Sequence, residues 1–265
     1  MMAQLPLSWN PMPIIDTHAH IDQIENWPAA LERAKAAHLS DIVAVSVDLP
    51  SMRKVLDLAK SSTLIKIHPA LGVHPGHVSK GAGQEAFDFM RENITSAVAI
   101  GETGLDYWYK WVRDNQEERT KQKDSFIKHL DIAREFDLPI IIHSRGAWKD
   151  CLSLTLEAKV KRALFHWYSG PLDILQGILE AGFYVSTSPS VAYSPQSQAA
   201  MLAADLGRIL IETDSPVTYK DGQTSFMSEP KDVVRTLQAL SRLKQVDEEQ
   251  LLSQVNHNAK NFFRI

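Results

Sequence analysis

Leu138-Pro139-Ile140-Ile141-Ile142-His143-Ser144-Arg145 is a short apolar run that ends abruptly in polar, chemically able side chains. Its isoleucines are β-branched and leave no polar face, which suits a strand buried on both sides, as parallel strands are. Seven further runs share this character, at residues 13–17, 41–47, 65–71, 97–101, 162–166, 183–187 and 208–212. Segments with helical spacing separate them, the clearest at 115–136 and 173–181, the latter followed by Gly182 as a helix stop. Others are expected at 28–39, 51–61, 84–93, 148–158, 195–205, 231–244 and 247–262. Eight strand-like runs alternating with helices predict a TIM-like (β/α)8 barrel rather than an open doubly wound sheet.

A length of 265 residues fits one such unit over 1–265, with 1–11 as a loose N-terminal arm. Apolar residues make up 44% and charged residues 23%, enough for a sizeable core. No apolar run reaches the ~20 residues of a membrane span, and the start lacks the basic and apolar regions of a secretory signal. The one cysteine, Cys151, cannot close an internal disulfide, so a reducing, cytoplasmic setting is expected. The net charge of −4 gives no bulk footprint for gripping duplex DNA. A nucleic-acid substrate would need positive charge from bound metals and from a few Lys or Arg near the site. No protein partner can be inferred.

The histidines are not scattered. His18 and His20 follow the first strand in Asp16-Thr17-His18-Ala19-His20, and residues two apart in extended chain point the same way. Glu102 closes the fourth strand, His143 the fifth and His166 the sixth, while Asp214 follows the eighth. All six lie at C-terminal strand ends, which converge on one mouth in a barrel. Imidazole and carboxylate suit zinc, manganese, iron or nickel. Four histidines with Glu102 and Asp214 can serve two divalent metals, especially if one carboxylate bridges them. Asp16 and Asp106 are expected to orient ligands or cap loops. His74, in Gly72-Val73-His74-Pro75, can bind substrate, orient a ligand or hold an additional metal. His38, His68, His77, His129 and His257 lack that placement. Two long connections at 107–113, aromatic and basic, and 215–229, polar, should lie on the same face.

Taken in order, these segments resemble the TatD-type metal-dependent DNases of the amidohydrolase-like group. The carrying motifs are Asp16–His20, Gly72-Val73-His74-Pro75, Gly101-Glu102-Thr103-Gly104-Leu105-Asp106 and the run 138–145. His166 before Ser169-Gly170, and Glu212-Thr213-Asp214-Ser215-Pro216, complete the set. The resemblance implies a TIM-like barrel that hydrolyses phosphodiester bonds, DNA being the expected substrate, with two divalent ions (Zn, Mn, Mg, Ni or Fe). It implies that His18, His20, Glu102 and Asp214 hold one metal and that Glu102 bridges to a second held by His143 and His166. Trp167-Tyr168 and Ser228-Glu229-Pro230 depart from the usual family runs, as does the aromatic stretch Tyr107-Trp108-Tyr109-Lys110-Trp111. These differences fall outside the metal ligands and bear on substrate preference.

The expected reaction is in-line attack on phosphorus by a hydroxide generated between two metals, exonucleolytic on single-stranded DNA. Asp214 and Glu102 are the expected catalytic carboxylates, Asp214 relaying the proton. His74, Arg145 and Glu229 are candidate substrate contacts: Arg145 to phosphate, unless it is structural, and Glu229 to a terminal hydroxyl, unless it fixes a loop. The aromatic stretch is either a base-stacking surface or a packed lid over the mouth. The same metals could instead polarise a carbonyl in an amidohydrolase or lactonase, or sit in a non-catalytic scaffold.

Overall fold

The computed structural model of the protein describes residues 12–79 and 83–265, so the expected arm at 1–11 lies outside the described residues. Eight parallel strands pair in chain order: β1 (Ile14–Ala19), β2 (Leu39–Val45), β3 (Lys66–Leu71), β4 (Ala99–Asp106), β5 (Ile140–Arg145), β6 (Ala163–Phe165), β7 (Tyr184–Thr187) and β8 (Ile209–Ile211). The two ends of this sheet meet just beyond β8. Ala19 bridges Ser215, His20 N donates to Ser215 O at 2.7 Å, and Asp214 N donates to His18 O at 2.9 Å. The expected barrel is therefore the observed one.

Among the described residues, eleven α-helical segments accompany the strands: α1 (Trp27–Ala36), α2 (Leu49–Ser61), α3 (Pro75–Val78), α4 (Gln84–Glu92), α5 (Lys110–Arg113), α6 (Gln116–Glu135), α7 (Trp148–Glu157), α8 (Leu172–Glu180), α9 (Pro195–Ala203), α10 (Val233–Lys244) and α11 (Glu248–Phe263). Their starts are written in the chain. Asp48 accepts from Ser51 N, Asn115 from Glu117 N and Glu118 N, and Asp247 from Glu249 N and Gln250 N. No helix among the described residues is long and apolar enough to cross a membrane.

Two expectations were off. Leu39, read as the end of a helix, begins β2, because the chain turns through a left-handed His38 (φ 66°) once α1 has stopped. The stretch 215–229 holds an antiparallel hairpin, β9 (Thr218–Asp221) with β10 (Thr224–Met227), turning at Gly222 with φ 60°. The Asp221-Gly222 pair was the turn signal available in the sequence.

The unbroken apolar runs now have a cause. Along each strand, side chains alternate between two separate apolar layers. Ile140 and Ile142 pack outward under the helices, whereas Ile141 joins Ile15, Val43, Val45, Leu164 and Leu210 inside the barrel. Phe262 and Phe263 of α11 belong to that inner layer and close its floor. Above the floor, inward parity continues from Ile141 to His143 and from Leu164 to His166. The metal-ligand candidates are thus the next inward layer of the barrel.

Candidate metal centre

Two strands reach that layer only by slipping register. β4 carries one extra residue against β5 between Ile100 and Thr103, and β1 does so against β2 between Asp16 and Ala19. A bulge of this kind re-aims the side chains beyond it. In β4 it turns Glu102 inward from the middle of the strand, not from its end as the sequence suggested, since β4 runs on to Asp106. Gly101 (φ 152°) and Gly104 (φ 136°) flank Glu102, and at Gly104 a Cβ would lie 2.0 Å from His143 O. Only glycine admits β5 this close.

Glu102 divides its two oxygens. Oε2 lies 3.4 Å from His18 Nε2 and 3.2 Å from His20 Nε2. Both of those nitrogens also face Asp214 Oδ1, at 3.3 and 3.4 Å. Oε1 lies 2.7 Å from His166 Nε2 and 2.9 Å from His143 Nδ1. All six residues singled out in the sequence are therefore brought to one place, in two donor groups that share Glu102.

The far nitrogens decide which lone pairs face inward. His20 Nδ1 meets Val45 O at 2.9 Å, His143 Nε2 meets Asp106 Oδ2 at 2.9 Å, and His166 Nδ1 meets Glu212 Oε1 at 3.3 Å. An acceptor at the far nitrogen fixes a proton there, so the near nitrogen is the one whose proton a metal would displace, leaving its lone pair for the ion. His18 Nδ1 is buried without a partner among the described residues, and its ring stacks on His166 at 4.1 Å. This donor set fits divalent metal.

Each charge in the cluster depends on its neighbours. Burial pushes His20 down, but the Asp214 and Glu102 carboxylates outweigh it and hold the imidazole well above its usual value. Burial likewise opposes the charge of Glu102, and His166 and His143 reverse it, keeping the carboxyl well below the usual range. Asp214 is also lowered, its burial outweighed by His20 and His18.

His74 joins Glu102 and His143 in a third group that could hold a metal by distance alone. Its hydrogen bonds argue otherwise. Nδ1 accepts from Gly76 N at 3.0 Å, so in the neutral ring the proton sits on Nε2, and a protonated nitrogen does not ligate metal. Burial lowers this imidazole to about 3, which keeps it neutral. Nε2 is left as a donor aimed at the centre, 3.3 Å from His143 Nδ1 and 3.7 Å from Glu102 Oε1.

The remaining expectations sort cleanly. Asp16 accepts from His18 N, Thr213 N and Thr213 Oγ1, tying β1 to the end of β8. Asp106 orients His143 and holds Arg145 Nε at 2.8 Å. Arg145 lines a cavity of about 460 Å³ that opens beside His143, His166 and Asp214. Glu229 is not among the lining residues: both its oxygens meet Arg33 at 2.7 Å, which is the loop-fixing alternative. The aromatic stretch is packed only in part: Tyr109 stacks on Trp111 at 4.4 Å and lines the cavity, Tyr107 Oη donates to Asp150, and Trp108 and Trp111 stay exposed. Cys151 is a buried thiol pushed up to about 12 by that burial. Glu212, which the sequence reading left without a role, is wholly buried and bound to His166 and Ser186 Oγ. Its inward parity with Leu210 was the signal that could have found it.

The sequence profile of the family described as TatD related DNase matches residues 15–264. The chain is 29% identical over 269 residues to the uncharacterized metal-dependent hydrolase YabD of Bacillus subtilis, covering 95% of this chain and 99% of that one. It is 25% identical over 262 residues to deoxyribonuclease TATDN3 of Homo sapiens, covering 94% of each. Among solved structures, the TatD homolog YjjV of Escherichia coli superposes with a TM-score of 0.87 at 23% identity, over 95% of this chain and 98% of that one.

Proposed function

The chain belongs to the TatD related DNase family of metal-dependent hydrolases, and from that premise we propose that it removes nucleotides from the ends of single-stranded DNA with two divalent cations at the Glu102 centre. The observation that carries the reading is the division of Glu102: one oxygen faces His18 and His20, the other His143 and His166. Asp214 completes the first group and Glu102 serves both. Cations bound there supply Lewis acidity, making water more acidic and offsetting charge that builds on phosphoryl oxygens.

The chain's own groups do the rest. Asp214, ionised and at the cavity wall, accepts the proton of the attacking water through the oxygen not engaged with the histidines. His74 donates its Nε2 proton to a non-bridging phosphate oxygen. Arg145, steadied through Nε by Asp106, offers its terminal N–H groups to phosphate. Glu212 and Asp106 hold His166 and His143 in the orientation the ligands need. The preference for DNA over other esters rests on the family and on the cleft beside the centre.

The test is cleavage of 3′- and 5′-labelled single-stranded oligomers by metal-stripped protein resupplied with Mg²⁺, Mn²⁺ or Zn²⁺. A metal-dependent ladder from one end is expected. In Glu102→Ala it should fall by about 10³-fold, as when a group stabilising transition-state charge is removed, with bound metal reduced when measured by elemental analysis. Metal-loaded protein that leaves both oligomers intact would overturn the assignment and point to lactone or amide substrates.

A further inference from the structure

The cavity beside the metal centre is asymmetric. Its walls come from the segments that follow β4 to β8, so it opens over the His143 and His166 side of the barrel. At about 460 Å³ it lies within the ~300–1,000 Å³ of small-ligand sites, room for one nucleotide and not for a duplex. Two tyrosines stand in its walls three strands apart, Tyr109 after β4 and Tyr193 after β7.

The two rings are not equivalent. Tyr109 is already used: Trp111 stacks on it, and the Arg145 guanidinium lies 5.2 Å from its centroid. Tyr193 keeps 38% of its surface exposed, and among the described residues its hydroxyl has no hydrogen-bond partner. Its backbone is nonetheless held, with Tyr193 N and Ser194 N both donating to Ser190 O at 3.0 and 2.8 Å. Lys220, on the β9–β10 hairpin, places its ammonium 5.9 Å from the Tyr193 centroid. A part-exposed aromatic ring on a fixed backbone, with a cation over one face and the Glu102 centre lining the same cavity, matches the parts of a nucleotide. It also answers how a chain of net charge −4 meets a polyanion: Arg145 supplies positive charge in the cavity wall and Lys220 adds it over Tyr193.

We propose that Tyr193 is the base platform of a one-nucleotide subsite, on which the base next to the cleaved bond stacks while Lys220 meets the phosphate beyond it. This rests on the phosphodiesterase reading above and names what lies beside the scissile phosphate. Stacking on an aromatic face is tolerant of base identity, so the subsite should select for the presence of a base rather than for its sequence.

Two measurements decide it. The first compares a dinucleotide with versions carrying an abasic deoxyribose at either position. Wild-type protein should prefer the base at one of them by about 5- to 150-fold in kcat/KM, chiefly through KM. Tyr193→Ala should erase that preference and Tyr193→Phe should retain it. The second is calorimetric titration with thymidine 5′-monophosphate and with deoxyribose 5-phosphate, which needs no turnover. The nucleotide should bind more tightly to wild type and Tyr193→Phe, and no more tightly than the sugar phosphate to Tyr193→Ala. Equal handling of base-bearing and abasic compounds by wild type, or a base preference that survives in Tyr193→Ala, would overturn the subsite. If no dinucleotide is cleaved, the phosphodiesterase reading falls, and the titration still decides whether Tyr193 receives a base.

Discussion

Asp106 shows how much of the donor cluster depends on a group outside it. One of its oxygens meets both His143 Nε2 and Arg145 Nε, and the other accepts from Trp108 N. It thereby sets the His143 tautomer, steadies the candidate phosphate contact and ties down the start of the aromatic stretch. Replacing it with asparagine keeps the shape but puts an amide N–H where an acceptor is needed. Asp106→Asn is expected to weaken metal binding by about 10- to 100-fold, the usual effect of removing such a partner. Equilibrium competition with a chelator measures this directly, and unchanged affinity would mean that Asp106 does not orient the ligand. The same logic separates Glu229 from the site. Its carboxylate is held below the usual range by its hydrogen bonds to Arg33 of α1, a contact away from the residues that line the cavity.

Among the elements, β3 and α6 are joined by one histidine that the chemistry does not use. His129 of α6 donates from Nδ1 to Ser125 O at 2.7 Å and accepts at Nε2 from Val73 N at 3.0 Å, while Phe87 of α4 packs edge-on at 5.0 Å. It fixes the segment that carries His74. Burial lowers this imidazole to about 4. Between that value and the ordinary ~6.5, the unfolded chain takes up the proton and the folded chain does not, so stability falls as pH falls. From pH 7.5 to 5 this single group should cost ~2 kcal/mol of unfolding free energy. Urea titrations at the two pH values should show the loss in wild type and a correspondingly flatter profile in His129→Gln. The same loss in both proteins would assign the acid sensitivity elsewhere.

For the molecule as a whole, the barrel is closed at one end by chemistry and at the other by grease. The C-terminal helix α11 returns beneath the strands, and Phe262 and Phe263 pack against Ile15, Val43, Ile141, Leu164 and Leu210. Phe262 is nearly inaccessible and also meets Tyr184 at 5.2 Å. Phe262→Ala should lower the unfolding free energy by ~3–5 kcal/mol, as for other buried aromatic truncations. The exposed Leu202→Ala should stay within ~0.5 kcal/mol of wild type. Chemical denaturation compares the two, and similar small effects would mean that α11 is not the floor of the barrel.

Alternation of buried strands with helices, and polar ligands at the ends of apolar runs, were legible in the chain because both are local. A strand buried on both faces shows it in consecutive isoleucines, and side-chain parity carries Ile141 to His143 without knowledge of any neighbour. The six residues of the donor groups could be found this way, since each sits on or just past its own strand. Which oxygen of Glu102 faces which histidine could not. That depends on a one-residue slip between β4 and β5, felt only when the two strands pair. The proton on His74 depends on a turn to Gly76, the tautomer of His166 on Glu212 some 46 residues away, and the place of Glu229 on Arg33 across 196. Contacts between groups so distant along the chain exist only after the barrel closes, so the sequence determined the donor residues and the fold, while tertiary structure alone decided how their protons and charges are shared.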